Sequence, residues 1–578
     1  MPDDPTPDQP DRPTDGGGDG VAGGGIGNPD AVVADGDLDG DGLPDAFDDE
    51  DFEPFDPEAP LRQLGADSVI RGVDWRGVLP WVRIFSAARL AAAPAKLLLA
   101  LVGIGLLYTA GQAMDGLWYV LPFDRAVPNE VQLYAAWQDE PGGGTGDFDA
   151  IVARQRETIE QSFDAARRRA AKPGVDYQTL DLGDVKDEIL ARRAAAVEAA
   201  AEQYEQRQRQ RALAPAADGY DRRLADLGRD RDLAVRSAYA EAVLDFERAQ
   251  AIKGTGPFKA FLDHSVTQLN LIVAAVLGLN LLAVPGVLYD LLITGPAWAV
   301  SRHPLFFALF FPLLLLIGSV VGGAICRIAA MEFARDEQIG VREGLRFSAA
   351  KFVSFLSAPL IPLLMLLVVG LLVSVGGALL NVPVVGPIVV GAGFFLALLG
   401  GLVVTLVVIG LIGGFNLMYP CVAAEGSDSF DAVARSFSYL YNKPWRLLFY
   451  TAVALVFGSL AYTAAHVFTW LVLRSAHFFA GLLSFRDAAS GEDLLPALWT
   501  DDVNFGELSY DISFLSLNGG QDLAAFFIAF WVYLTIALLG AFAVSLYFCS
   551  GTILYFLMRR DVDATEYDEV YHDHIPGE

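Results

Sequence analysis

Three long apolar runs between residues 305 and 417 dominate the pattern of hydrophobic and polar positions. They are separated by a basic segment at 327–351 and by a turn at 381–383. Each run is long enough to cross ~30 Å of hydrocarbon as a helix, and none alternates as a half-buried strand does. The pattern therefore predicts an integral membrane protein.

The other apolar stretches extend this prediction to an all-α, polytopic transmembrane helix bundle with about six crossings. They lie at 91–113, 266–287, 288–300, 447–473 and 524–557. Asp290 and the breaks at Pro285-Gly286 and Gly295-Pro296 interrupt the stretch 266–300. We expect this stretch to fold back or to lie in the interface, although the pattern leaves open whether it crosses.

Residues 121–263 form a large polar region whose apolar positions recur at helical spacing. Its breaks fall near Pro173-Gly174 and Pro215, which predicts an elongated helical hairpin of coiled-coil type. Arginines are abundant there, but acidic residues accompany them and no aromatic stacking platform is evident. This composition indicates solvated helix faces and argues against binding to nucleic acid.

Positive charges predict the orientation, because Lys and Arg near short loops mark the cytoplasmic side. They cluster at 62–96, 327–351, 435–446 and 559–560. Keeping all four clusters inside places 121–263 outside and requires an odd number of crossings between that region and Arg327. The prediction is a multi-pass protein of the bacterial cytoplasmic (inner) membrane with both termini cytoplasmic. The hairpin 121–263 and an acidic loop at 476–523 are then extracytoplasmic.

Charge is concentrated at the two ends of the chain. Residues 1–61 hold 19 acidic residues against Arg12, and residues 561–578 add seven acids, out of a net charge of −30. Such segments bury too little apolar surface to order themselves, so we predict disordered acidic tails. The predicted regions are a tail at 1–61, a basic interfacial segment with the first span at 62–120, the hairpin at 121–263, the bundle at 264–558 and a tail at 559–578.

One short motif in the first tail has the spacing of a calcium loop. Carboxylates at the first, third, fifth, ninth and twelfth places surround a glycine at the sixth, and the seventh place supplies a carbonyl. The motif resembles the loops of EF-hands and of thrombospondin type 3 and dockerin repeats, although its last ligand is Asp instead of Glu. That resemblance implies Ca²⁺ as a cofactor, with the ligands Asp37, Asp39, Asp41, Leu43, Asp45 and Asp48.

A second motif is an elbow that occurs twice on the predicted inner side. In each copy an acidic stretch precedes an amphipathic segment with Arg and Ser and a terminal cation, at 330–351 and at 424–446. The elbows resemble connectors in the membrane domain of glycerophosphoryl diester phosphodiesterases and in related uncharacterised bacterial multi-span proteins. Candidate residues for docking a lipid headgroup or a partner are Arg346, Lys351, Lys443 and Arg446. Simple anchoring of helix ends to anionic headgroups explains the same cations.

The sequence predicts no enzyme, because it contains no Ser/His/Asp set, phosphate-cradling Gly loop or metal-binding His/Glu helix. We expect a membrane-anchored scaffold or interaction protein. Its partners would be the lipid bilayer and proteins bound through 121–263 and the acidic tails. The alternative is a permease or lipid-handling transporter, although the centres of the three main runs lack ionisable residues.

Overall fold

The computed structural model describes residues 79–121, 125–139, 147–171, 176–212, 227–231, 248–482 and 519–571, with single positions between 233 and 245 and at 495, 499 and 508. These residues form helices and short connections, with an antiparallel bridge between Ala126 and Thr255. The all-α prediction is thus confirmed for the described chain. The tail 1–61 with its Asp37–Asp48 motif, most of the loop 476–523 and residues 572–578 lie outside it.

The helices follow one another through short turns. In chain order the described α-helices that we number are α1 (Ala87–Ala91), α2 (Pro94–Val120), α3 (Glu130–Asp139), α4 (Phe148–Ala170), α5 (Leu182–Ala212), α6 (Pro257–Leu277), α7 (Val284–Tyr289), α8 (Gly295–Arg302), α9 (Pro304–Arg335), α10 (Val341–Ala350), α11 (Phe352–Ser357), α12 (Leu360–Ala378), α13 (Val385–Glu425), α14 (Ser429–Asn442), α15 (Pro444–Gly481) and α16 (Gly519–Asp563). Short 3₁₀ helices lie at Pro80–Ser86, Tyr177–Thr179, Ala251–Lys253 and Leu379–Asn381, and a π-helix lies at Asp290–Thr294.

The chain is a multi-pass membrane protein. Within the described residues, seven helices are long and apolar enough to cross a membrane: α2, α6, α9, α12 with its 3₁₀ extension, α13, α15 and α16. The sequence pattern predicted about six crossings, and the additional candidate is α6.

Helix α6 belongs to a helical hairpin. The chain turns at Leu279, which has a left-handed backbone (φ 57°). It then runs without interruption through α7, the π-helix and α8. Val284 packs against Ile272 and Val276 near the turn. Farther along, an ideal Cβ at Gly295 would lie 3.2 Å from His264 Cδ2. The second arm therefore runs antiparallel to α6 and returns the chain to the end where α6 begins.

Three long helices, α9, α13 and α16, form the centre of the bundle. Each carries one fully buried cysteine, at Cys326, Cys421 and Cys549. Small residues bring the backbones close: an ideal Cβ at Gly551 would lie 2.9 Å from the Asn416 carbonyl oxygen. Close packing of this kind drives helix association in lipid, where burial of apolar surface adds little.

Outside this centre, helix α12 exposes its large apolar side chains, and none of its most apolar window is buried. A hydrocarbon environment suits such a surface.

Helices α3, α4 and α5 extend from the end of the bundle where α2 ends. Val131, Tyr134 and Phe148 join the cluster around Trp118 and Trp298. Phe163 of α4 packs near Val185 and Ile189 of α5. Helix α5 has 31 residues and is mostly polar, so it is about 46 Å long at ~1.5 Å per residue. That this region forms an extracytoplasmic hairpin stays a prediction.

Candidate functional site: the cationic end of the bundle

The four cationic clusters meet at one end of the bundle, which we call the cationic end. Buried Lys96 forms an ion pair with Glu332, which joins the first cluster to the second. The Lys351 ammonium donates to the Gly426 carbonyl at the start of the second elbow. Lys443 donates to the Asp561 carbonyl near the end of α16. The end of α2 and the start of α9 lie together at the other end, where Trp118 contacts Phe306.

The two elbows are built alike. Helix α9 is followed by Asp336 and helix α13 by Gly426, both with left-handed backbones (φ 54° and 62°) that stop the helix. A short amphipathic helix, α10 or α14, then packs back against the long helix that precedes it. A fully buried serine lies on each short helix, Ser348 on α10 and Ser436 on α14. The sequence repeat is therefore also a structural repeat.

Glycines on the long helices make room for the short ones. An ideal Cβ at Gly323 would lie 2.6 Å from Ser348 Oγ, and one at Gly410 would lie 2.6 Å from the Phe437 ring. Ser348 Oγ donates to the Val320 carbonyl at 2.8 Å. Asp428 caps α14 by accepting from the Asp431 amide at 2.9 Å. Each elbow is thus a rigid part of the bundle.

The structure places the four predicted docking residues in different environments. Lys351 and Lys443 each occupy the junction after a short helix, where both donate to backbone carbonyls. Arg446 contacts the Asp561 carboxylate at 2.7 Å while 56% of its side chain stays exposed. Arg346 is exposed on α10. The four residues share the cationic end, but three of them hold the chain together. Docking of a headgroup at Arg346 and Arg446 stays a prediction.

Glu425 is the hub of this end. Its carboxylate accepts from the Tyr555 hydroxyl and lies 3.2 Å from Arg559 Nε and 2.7 Å from Arg435 Nη1. Nearby, Tyr439 donates to the Asp563 carboxylate. Burial, together with this hydrogen bond, raises the pKa of Tyr439, so the phenol remains a neutral donor. These contacts join α13, α14 and α16.

The segment after α16 lies across the cationic end. Ala564 has a left-handed backbone (φ 56°) and turns the chain back. Arginines donate to the backbone carbonyls of the returning segment: Arg335 to Asp568 at 3.1 Å, Arg559 to Glu569 at 2.6 Å and Arg327 to Tyr571 at 2.8 Å. The sequence predicted a disordered tail from residue 559. Residues 559–571 are instead a helix end and a bound strap, because the buried guanidinium groups of Arg327 and Arg559 need acceptors and these carbonyls supply them.

A second polar cluster lies at the opposite end of the bundle. Buried Glu130 accepts from the Val127 amide at 2.8 Å and from the Trp298 indole at 3.2 Å. Arg302 lies 3.7 Å from Glu130 and 2.6 Å from Asp149 on α4. Burial raises the pKa of Glu130, although its hydrogen bonds and Arg302 oppose that shift. The cluster ties α3 and α4 to α8.

The described chain holds no group of three or more His, Cys, Asp or Glu residues that could bind a metal ion. The predicted calcium ligands Asp37, Asp39, Asp41, Leu43, Asp45 and Asp48 lie outside the described residues, so the calcium prediction stays a prediction.

Sequence reasoning identified the cations of this end but missed their acceptors. In the sequence, Glu425 was one of several acidic residues in the second elbow, and nothing distinguished it from the others. The acceptors of Arg327 and Arg335 are backbone carbonyls, which carry no sequence signal. The available signal was indirect: Glu332 and Glu425 both follow a long apolar run of the sequence, where a buried carboxylate requires a cationic partner.

Anionic groups can bind the cationic end at its exposed cations, Arg346 and Arg446. Lys96, Lys351 and Lys443 are already bonded within the chain.

Comparison with models of protein families finds no match, and the same is true of comparisons with curated proteins and with solved structures.

Proposed function

We propose that this chain is a non-enzymatic scaffold of the bacterial cytoplasmic membrane. In this proposal the cationic end faces the cytoplasm, and helices α4 and α5 present a binding surface on the other side. The acidic tails bind further partners at the cytoplasmic face, and both termini are cytoplasmic.

The observation that carries the proposal is the meeting of the four cationic clusters at one end of the bundle. Lys and Arg are retained on the cytoplasmic side of membrane proteins. A bundle whose four cationic clusters share one end agrees with that rule in one orientation only. The hairpin of α6 to α8 supports this orientation. It begins and ends at the opposite end, so it adds no net crossing between α2 and α9.

Close packing favours a scaffold over a carrier. The backbone of α13 at Asn416 lies against Gly551 of α16, and Phe548 fills the space beside Gly322. Clefts of about 170 Å³ at the opposite end and about 50 Å³ beside α5 are smaller than typical ligand pockets. Helix α5, in contrast, offers a long polar surface.

The alternative is a permease or lipid-handling protein. One feature favours it: the hairpin of α6 to α8 begins with a candidate span and buries polar side chains, and such residues often mark a path for a solute.

Photocrosslinking in intact cells tests the scaffold proposal. A photoreactive residue at Gln206 or at Arg209, exposed on α5, should give one protein adduct of the same mass. The matched control is Leu367 on α12, which is 66% exposed and should react with lipid only. Absence of a protein adduct from both α5 positions, together with solute or lipid movement in reconstituted vesicles, would favour the permease.

A further inference from the structure

The hairpin of α6 to α8 contains two buried polar side chains that its helices leave incompletely bonded. His264 and Gln268 lie one turn apart on the same face of α6 and are 1% and 8% exposed. On the second arm, His264 faces the π-helix Asp290–Thr294. Single-turn π-helices are rare and often occur at functional sites.

The donor and acceptor roles of these side chains show which hydrogen bonds are missing. His264 Nε2 lies 3.2 Å from the Asp290 carbonyl oxygen, which can only accept, so Nε2 carries the proton. In the neutral ring Nδ1 is then an acceptor, and it is buried without a hydrogen-bond partner. Gln268 Oε1 is likewise a buried acceptor without a partner. Leaving such a group unbonded destabilises the fold unless a ligand or water supplies a donor.

The second arm of the hairpin contributes a carboxylate, and its backbone lies close to the ring of His264. Thr294 Oγ1 donates to Asp290 Oδ1 at 3.2 Å, which holds the carboxylate in the hairpin. Gly295 lets the ring of His264 approach the backbone, because an ideal Cβ there would lie 3.3 Å from Nε2. The second arm thus places the carboxylate-bearing residue Asp290 beside His264.

The chemistry of these acceptors selects the class of ligand. Alkali and alkaline-earth cations prefer all-oxygen ligands, whereas one of the two free acceptors is an imidazole nitrogen. A transition metal needs more His, Cys, Asp or Glu ligands than any group in the described chain provides. A cation that carries N–H groups satisfies both acceptors and the carboxylate.

We propose that the hairpin binds ammonium or a small primary amine, with N–H groups donated to His264 Nδ1 and Gln268 Oε1 and with Asp290 as the counter-charge. Asp263, the residue before His264, lines the cleft of about 170 Å³ at the opposite end, together with Asn129, Glu130 and Lys259. The site is independent of the scaffold function proposed above.

Thermal unfolding of the full chain in detergent tests the proposal. A ligand that binds the native state raises the unfolding midpoint with its concentration. Ammonium chloride and methylammonium chloride should raise the midpoint. Tetramethylammonium chloride at the same ionic strength should not, because it has the charge but no N–H group.

Variants of α6 separate this site from a general salt effect. Gln268→Leu should weaken ammonium binding at least ~10-fold, which corresponds to the loss of about 1.4 kcal/mol. Gln268→Glu should strengthen it, and Asn270→Leu, at an exposed position of the same helix, should leave it unchanged. Equal midpoints in ammonium and tetramethylammonium would overturn the proposal and would mean that only an ordered water fills the space. An ammonium effect that persists in Gln268→Leu would overturn it too.

Discussion

Glu425 lies where α13, α14 and α16 meet, and only 11% of its side chain is exposed. Its partner Arg559 is 10% exposed, so this ion pair is largely removed from water. A buried cation that loses its carboxylate keeps its desolvation cost without compensation. The contribution of Arg435, which is 40% exposed, is screened and small.

We predict that Glu425→Ala lowers the free energy of unfolding by about 3–5 kcal/mol, because Arg559 is left buried without its counter-charge. Thermal unfolding in detergent measures the change. Glu343→Ala is the control, since Glu343 is exposed on the first elbow, and it should change the stability by less than about 0.5 kcal/mol. Equal effects of the two substitutions would show that Glu425 is not the hub.

Glu130 provides a prediction about pH. Because burial raises its pKa above the ordinary value of 4.5, the folded state binds a proton that the unfolded state releases as the pH rises past that value. Wild-type stability should therefore fall relative to Glu130→Gln as the pH increases from about 4.5 through the raised pKa. The difference between the unfolding midpoints of the two proteins, measured across pH, checks this.

The exposed glutamate Glu205 on α5 supplies the matched substitution. If Glu205→Gln changes the pH profile as much as Glu130→Gln does, burial of Glu130 is not the cause.

The docking candidates show which properties of a residue a sequence pattern can predict. The pattern singled out Arg346, Lys351, Lys443 and Arg446, and the structure places Lys351 and Lys443 at junctions between helices, Arg446 in the first turn of α15 and Arg346 within α10. It could not tell that Lys351 and Lys443 donate to carbonyls of other elements while Arg346 stays exposed. Hydrogen-bond partners that are distant in the sequence, and backbone groups in particular, leave no recognisable pattern in the residues around the cation.

The packing of one helix against another determines which elements the sequence could predict and which it left open. The elbows were predictable because their amphipathic pattern occurs twice. The stretch 266–300 was ambiguous, since Asp290 and two Pro/Gly breaks suit a fold-back, a piece in the interface or a bent crossing. The structure shows a fold-back, in which α7, the π-helix and α8 continue as one arm and return along α6. Local composition cannot distinguish these, because the choice depends on packing between the two arms.

The strap, which is the segment 564–571 after α16, leads to a prediction about stability. A chain that stops after Asp563 loses the carbonyls that accept from Arg327, Arg335 and Arg559. Hydrogen bonds to buried charged groups contribute about 1.5–3 kcal/mol each. Arg327 and Arg559 are buried, whereas the exposed bond of Arg335 adds little, so we expect a loss of several kcal/mol in the free energy of unfolding. Thermal unfolding of the shortened chain in detergent measures it.

A chain that stops after Tyr571 keeps every one of these contacts and is the matched control. It should unfold at the wild-type temperature. If both shortened chains unfold at the wild-type temperature, the strap contributes nothing to stability.

For the whole molecule, the account depends on the sidedness of the bundle. Lys96, Glu332, Lys351, Glu425 and Lys443 lie at one end. Helices α3 and α4 are attached at the other end through Glu130 and Arg302. If the cationic end faces the cytoplasm, both elbows are inside and α5 is outside.

Cysteine labelling in intact cells measures this sidedness directly. The native cysteines of the bundle are fully buried, so a membrane-impermeant maleimide should report the introduced thiol. Glu343→Cys on the first elbow, Ala434→Cys on the second and Gln206→Cys on α5 are all exposed. We predict that Gln206→Cys reacts in intact cells, whereas the two elbow cysteines react only after the membrane is permeabilised. Reaction of an elbow cysteine from outside, or protection of Gln206→Cys, would contradict the account.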